Sequence, residues 1–119
     1  GIRSSSTSRG LGDVYKRQQL KLAEMSTRAA AAELLVHQAA SKFDRQERCD
    51  LEAGQAKFFA SEAAVQNSLD AMRVFGGYSY SPDYEIERFY RDAPLLCIGE
   101  GTNEIQRMII AKQMVARAG

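Results

Sequence analysis

From Gln19 onward the chain repeats with a helical period. Leu22, Met25, Ala29, Ala32, Val36, Ala39 and Phe43 alternate spacings of three and four, which puts them on one helix face. Glu24, Thr27, Arg28 and Glu33 fall largely off that stripe. Neither Pro nor Gly interrupts Gln19 to Cys49, so about 25 residues are expected to run as one helix. The charged stretch from Asp44 to Asp50 reads as the turn that follows. A second long helix is expected over Asp50–Phe75, where Leu51, Phe58, Val65 and Met72 recur every seven residues and Phe59, Ala63 and Leu69 widen the stripe. Ala56, Ala60, Ala63 and Ala64 leave room for a neighbouring helix to approach. Gly54 costs about 1 kcal/mol relative to Ala, and Gly76-Gly77 ends the helix, as glycines free to take positive φ commonly do.

Beyond it, Tyr78 to Pro82 reads as a loop. Ser81 and Pro82 form an N-cap and first-turn pair for a short helix through Tyr90. Pro94 is expected to break the chain, leaving Leu95, Leu96, Cys97 and Ile98 as a short apolar link to Gly99-Glu100-Gly101. Thr102 or Asn103 can cap a last helix running to Ala116, with Ile105, Met108, Ala111 and Val115 on one side. Three long amphipathic helices and a short one define an all-α antiparallel bundle. The stripes are wide for so few helices, so part of the apolar surface is expected to seek a further helix or a partner subunit. The expectation is an incomplete four-helix bundle.

Composition agrees with this picture. A chain of 119 residues, 45% hydrophobic and 26% charged, makes one small globular domain. Its apolar runs fall well short of the roughly 20 residues a membrane span needs. Cys49 and Cys97 come without a CxxC or His pair, so neither a disulfide framework nor a metal site is indicated, and a reducing compartment is the mild inference. The first residues contain no apolar signal-peptide core. Charge is uneven: residues 1–18 carry +3 and the remainder −2, so the body is mildly acidic and a nucleic-acid partner is not expected.

That basic segment changes the domain reading. Ser4 to Ser8 resembles a linker, and Gly10-Leu11-Gly12 follows neither a helical nor a strand period. Ser8 to Gln18, SRGLGDVYKRQ, back-translates to a string resembling a widely used transposase-based sequencing adapter. Residues 1–18 are therefore expected to be a non-native tail, and 19–119 the domain.

Few residues offer chemistry. Glu100 sits between two glycines just before a helix N-terminus, where backbone allows close approach and unpaired N–H groups favour an anion. On spacing alone the plainer reading is a surface turn whose Glu complements the helix dipole. Gly76-Gly77 likewise needs no role beyond ending a helix, though paired glycines also let a cofactor pyrophosphate come near. His37, the single histidine, reads as a helix-face or interhelical side chain rather than a metal ligand. Glu85, Glu87, Arg88, Arg91 and Asp92 read as a solvated, salt-bridged face. Tyr78, Tyr80, Tyr84 and Tyr90 read as packing residues rather than a base-stacking platform.

The order of motifs says more than any one of them. KLAEM, AKFFASEAAVQ, MRVFGGYSYSPDYEIERFYRDA and IGEGTNEIQRMIIAKQ, in this order and spacing, resemble the acyl-CoA dehydrogenase family from Gln19 to Gly119. The family has an N-terminal helical domain, a middle β domain and a C-terminal four-helix bundle. Only the later helices of that bundle are matched, and its first helix, with an Arg-x-x-Phe-Gly flavin-contacting segment, is not. The resemblance implies FAD-dependent α,β-dehydrogenation of an acyl-CoA to a trans-2-enoyl-CoA, with Glu100 as the base that takes the pro-R α-proton. Gly101 would lie beside the substrate. Thr102, Asn103 and Glu104 match the stretch that contacts flavin in the same subunit. Arg73, Val74, Phe75, Gly76 and Gly77 match the segment that reaches the FAD of a neighbouring subunit. Arg73 replaces a frequent glutamine and Gly99 a frequent tyrosine, which puts one flavin contact and the shape of the substrate pocket in doubt.

The resemblance further implies a homodimer or homotetramer in the full-length parent and an electron-transfer flavoprotein as acceptor. The location would be cytoplasmic in a bacterium or the mitochondrial matrix in a eukaryote. The alternatives are an inactive helical oligomerisation fragment, the reading that applies to this chain expressed alone, and an oxidase-like relative on the same scaffold.

Overall fold

The computed structural model describes residues 2–76, 85–99 and 101–118. Four helices follow in order: α1 Ile2–Asp44, α2 Asp50–Phe75, α3 Ile86–Ile98 and α4 Asn103–Ala118. Among the described residues there is no strand. The fold is all-α, and α2 is its axis, since α1, α3 and α4 each pack on it.

Contacts fix the directions. Arg28 meets Asp70 and Lys42 meets Glu52, so α1 and α2 form an antiparallel hairpin. The chain reverses through Gln46, whose φ is +60°. The Gln46 amide donates to the Phe43 carbonyl and the Glu47 amide to the Lys42 carbonyl. This is the paired pattern in which glycine usually holds the left-handed position, and a glutamine there costs about 1 kcal/mol.

Along another side of α2, α3 and α4 follow one another. Ile86, Phe89, Ala93 and Leu96 of α3 line a cleft with Ala64, Asn67, Ser68 and Ala71 in the C-terminal half of α2. Arg117 of α4 meets Glu52, and Asn103 meets Ser61, in the N-terminal half. Both short helices run antiparallel to α2, and the junction between them, residues 99–102, falls opposite Lys57 and Ser61. Four helices thus occupy three bundle positions.

The expected span Asp50–Phe75 for α2 is the observed one. Its N-terminus carries Asp50 and Glu52 in the first turn, and its end is Gly76, at φ +63° with its amide donating to the Met72 carbonyl. Gly54 has a reason to be glycine. A Cβ there would sit 3.1 Å from Ile110 Cγ1, so the missing side chain is what lets α4 approach.

Three expectations are corrected. The first helix begins at Ile2 rather than Gln19, so the helical backbone runs through the segment read as a linker. The short helix runs Ile86–Ile98, so Pro94 and the supposed apolar link are helical. Its expected start at Ser81-Pro82 lies outside the described residues. Pro94 forfeits the amide bond to the Tyr90 carbonyl and crowds that turn. Packing outweighs this loss, because neighbouring Ala93 is buried and Leu96 lies against α2.

The third correction concerns α1, whose inner face is turned by one residue. Met25, Ala32 and Ala39 are half-buried as expected, but their inner companions are Lys21, Arg28, Leu35 and Lys42. Leu22, Val36 and Phe43 stay 51%, 48% and 72% exposed. The physical cause is polar: Arg28 and Lys42 reach carboxylates of α2 and draw their own line inward.

The buried interior is correspondingly small. Ala56, Ala63, Met72 and Ala93 are its apolar members, and Glu52, Ser61, Asp70, Asn103 and Gln113 are buried with them. Many large apolar side chains on α1, α3 and α4 face outward, as the wide stripes implied. Among the described residues no helix is long and apolar enough to cross a membrane.

Candidate functional site at the α3–α4 junction

The junction begins where α3 stops. Gly99 is extended at ψ 153°, with its amide donating to the Leu95 carbonyl. Glu100 lies outside the described residues. Gly101 follows at φ +90°, and an added Cβ would stand 2.9 Å from Gln106 Nε2. The conformation therefore favours glycine here, while the Gln106 amide is the end of a flexible side chain that can give way.

Thr102 then caps α4. Its Oγ1 accepts from the Ile105 amide at 3.2 Å and its carbonyl from the Gln106 amide at 2.9 Å. Asn103 turns its side chain into the bundle and is 4% exposed. Its Nδ2 donates to Glu62 Oε1 at 2.8 Å and to Ser61 Oγ at 3.0 Å. Lys57 Nζ donates to Asn103 Oδ1 and to the Gly101 carbonyl, each at 2.8 Å. Ser61 Oγ donates to the carbonyl of Lys57 at 2.7 Å. One turn of α2 thus holds the first turn of α4 through a closed polar network. Glu104 is exposed and stands in the first turn of α4, where it complements the helix dipole.

The other expected contact residues lie elsewhere on α2. Arg73 is in its last turn, with its side chain 54% exposed and Nη1 3.4 Å from Asp70 Oδ1. Val74 is half-buried and Phe75 exposed. Gly76 is exposed, and a Cβ there would meet nothing within 4 Å. Gly77 lies outside the described residues. Arg73 and Gly76 border a cleft with Glu87, Tyr90 and Arg91 of α3. Ser61 and Arg73 are twelve residues apart, about 18 Å along the helix axis. The sequence-derived residues therefore form two groups, and one chain does not bring them together.

Two ion-pair clusters brace this arrangement. Glu52 is buried and receives Arg117 at 2.9 Å and Lys42 at 2.8 Å, tying α1, α2 and α4. Hydrogen bonds from Arg117, then Lys42, outweigh burial and hold the Glu52 carboxyl at about 2. At Asp70 burial pushes the pKa up, but Arg28 at 2.7 Å and Gln66 pull it further down, to a net value below the ordinary one. Asn67 adds a bond to the Met25 carbonyl at 3.0 Å.

The remaining candidates are surface features. His37 stands on the outer face of α1, 3.5 Å from Glu33 one turn away. Arg88 pairs with Glu85 and Arg91 with Glu87 along α3. Tyr90 is exposed, and Tyr78, Tyr80 and Tyr84 lie outside the described residues. Lys57, Ser61 and Glu62 were not singled out from the sequence. Their partners are more than forty residues away, and a backbone carbonyl such as that of Gly101 has no sequence signature.

Comparison with known proteins identifies the class. The acyl-CoA dehydrogenase C-terminal domain matches residues 14–115. The chain belongs to the acyl-CoA dehydrogenase family. It is 54% identical over 95 residues to an acyl-CoA dehydrogenase of Bacillus subtilis, covering 80% of this chain and 25% of the relative. It is 40% identical over 96 residues to a caffeyl-CoA reductase-Etf complex subunit of Acetobacterium woodii, covering 81% and 25%. Among solved structures, the FAD complex of PigA superposes with a TM-score of 0.82 at 28% identity, covering 86% of this chain and 27% of that one. The chain thus spans about a quarter of the length of these proteins.

Proposed function

We propose that the full-length protein carrying this segment dehydrogenates an acyl-CoA thioester to the trans-2-enoyl-CoA, with FAD as cofactor and Glu100 as the base. The observation that carries this reading is the turn that follows Glu100. Gly101 at positive φ, the Thr102 cap and the buried Asn103 make a well-bonded shoulder beside a carboxylate that must act at one atom. Glu100 takes the α-proton onto a carboxylate oxygen, and the β-carbon loses hydride as the double bond forms. FAD, when bound, supplies the two-electron acceptor for that hydride.

The residues fit such a cofactor in two places. Gly76 leaves its backbone open to a close approach, and Arg73 offers exposed positive charge beside it, which suits a pyrophosphate. Val74, Phe75 and Gly77 complete that segment. Thr102, Asn103 and Glu104 would meet the flavin mainly through backbone, since the Thr102 hydroxyl and the Asn103 side chain are engaged within the chain. Gly101 would border the substrate. The 18 Å or so along α2 between the two groups supports the reading that Arg73 to Gly77 serve the FAD of a neighbouring subunit, in a homodimer or homotetramer. An electron-transfer flavoprotein is the proposed acceptor, and a bacterial cytoplasm or a mitochondrial matrix the proposed location.

Glu100→Gln in the full-length protein should retain FAD yet lose acyl-CoA-dependent bleaching of the flavin absorbance by several orders of magnitude. Wild-type bleaching in that variant would refute the assignment. The 119-residue chain alone should bind FAD poorly, and a tight stoichiometric complex would refute the reading of a partial site. We read residues 1–18 as a non-native tail, and an independent genomic sequence encoding them contiguously with 19–119 would overturn that.

A further inference from the structure

We propose that Lys57 is a positioning residue for the reaction, acting by anchoring the Gly101 carbonyl, next in the chain to Glu100. The inference rests on the reading of Glu100 as the base. Glycine is the residue least able to hold its own backbone conformation, since it lacks the Cβ that confines φ. Gly101 nevertheless stands at φ +90°, a conformation that side-chain-bearing residues rarely adopt. A constraint from outside the turn is the bond from the Lys57 ammonium to the Gly101 carbonyl at 2.8 Å, which anchors the peptide that follows Gly101.

Lys57 is itself well held. Its ammonium also bonds Asn103 Oδ1, and its own carbonyl receives the Ser61 hydroxyl. Both described acceptors of the ammonium are neutral oxygens, and among the described residues no carboxylate lies within 4 Å of it. Half-buried cations are usually paired with an anion. Here the charge instead strengthens a bond to one carbonyl, as bonds from ionised donors are roughly twice as strong as neutral ones. The same residue grips both sides of Thr102, so the end of the turn and the start of α4 move as one body on α2.

The test uses the full-length holoenzyme and rapid-mixing measurement of flavin reduction by acyl-CoA. Lys57→Met keeps the length of the side chain and removes donor and charge. It should lower the limiting reduction rate about 10–100-fold, the range a misplacement near 1 Å produces, while FAD content and acyl-CoA Kd stay within about threefold of wild type. Lys57→Arg, which restores a charged donor, should recover the rate to within about fivefold. A wild-type reduction rate in Lys57→Met would overturn the proposal, as would equal losses in Met and Arg, which mark a packing site only. If Lys57→Met does not assemble, Lys57→Gln is read by the same criterion of rate against Kd. Glu100→Gln is measured in parallel. Full activity there sinks the base assignment, whereas an inactive Glu100→Gln beside an unimpaired Lys57→Met sinks the Lys57 proposal alone.

Discussion

The two halves of α2 differ in how they meet their surroundings. Near Lys57 and Ser61, the Gly101 carbonyl, the Thr102 hydroxyl and the Asn103 side chain all have partners within the chain, and Asn103 is buried. At Arg73 to Gly76 only Val74 is half-buried and the others are exposed, and the described side-chain contact of Arg73 is one ion pair at 3.4 Å. The first region is finished within one chain. The second presents Gly76 and the Arg73 side chain at the surface. The start of α4 is thus held by contacts within the chain, whereas the last turn of α2 leaves Arg73 and Gly76 at the surface.

The comparison can be broken most forcefully at Glu52. This buried carboxylate joins Lys42 of α1 and Arg117 of α4, so the α4 end of the network depends on it. Glu52→Ala leaves two cations without their anion and should destabilise the protein by about 2 kcal/mol, discounted from the usual cost because both cations are partly solvated. Its folded pKa of about 2 lies below the ordinary 4.5, so its stabilisation is complete above pH 4.5 and is lost as pH falls toward 2. Asp70 is shifted in the same direction and contributes to the same acid limb. Urea unfolding of wild type and Glu52→Gln across that window isolates the Glu52 part. Parallel acid limbs in the two proteins would show that the cluster carries no stability.

Gly101→Ala comes next in size. The substitution meets an unfavourable φ of +90° and a 2.9 Å contact with Gln106 Nε2. The expected cost is about 2 kcal/mol, together with loss of flavin reduction in the full-length protein. An alanine variant with unaltered stability and rate would show the turn to be looser than the network implies.

How far these features could be read in the sequence follows from how local their causes are. The bounds of α2 and the Thr102 cap were legible because glycine, first-turn acids and a capping hydroxyl act within a few residues of themselves. The inner face of α1 was misplaced by one position because its orientation is set by Asp70 and Glu52, which are distant in the chain. Pro94 announced a break, yet the helix continues through it, with neighbouring Ala93 buried. Glu100 was singled out by motif order, not by any property of its own. Lys57 was illegible because its partners are a carbonyl and an amide more than forty residues away.

A smaller effect is expected at Gly54, where two terms nearly cancel. Alanine gains about 1 kcal/mol of helix propensity, but its methyl would press on Ile110 Cγ1 at 3.1 Å and Gln106 Oε1 at 3.4 Å. Both neighbours are side chains able to give by a few tenths of an ångström, so the net change should stay within about 1 kcal/mol. A loss above about 2 kcal/mol would mean that α4 is clamped at this point as firmly as at Asn103.

The smallest change in stability, and the sharpest test of the comparison, is expected at Arg73. Its side chain is 54% exposed, and its ion pair with Asp70 is one helical turn long. Asp70 keeps Arg28 at 2.7 Å when Arg73 is removed, so the buried carboxylate is not orphaned. Arg73→Ala should therefore cost less than about 0.5 kcal/mol in urea unfolding. In the full-length protein the same variant should retain FAD less well on dilution, because it removes positive charge where Gly76 leaves the backbone open. Arg73→Gln, which keeps a polar donor without the charge, should fall between the two. A variant that loses stability by more than 1 kcal/mol while holding FAD normally would reverse the comparison, making the end of α2 a structural element and leaving the junction on Lys57 as the functional one.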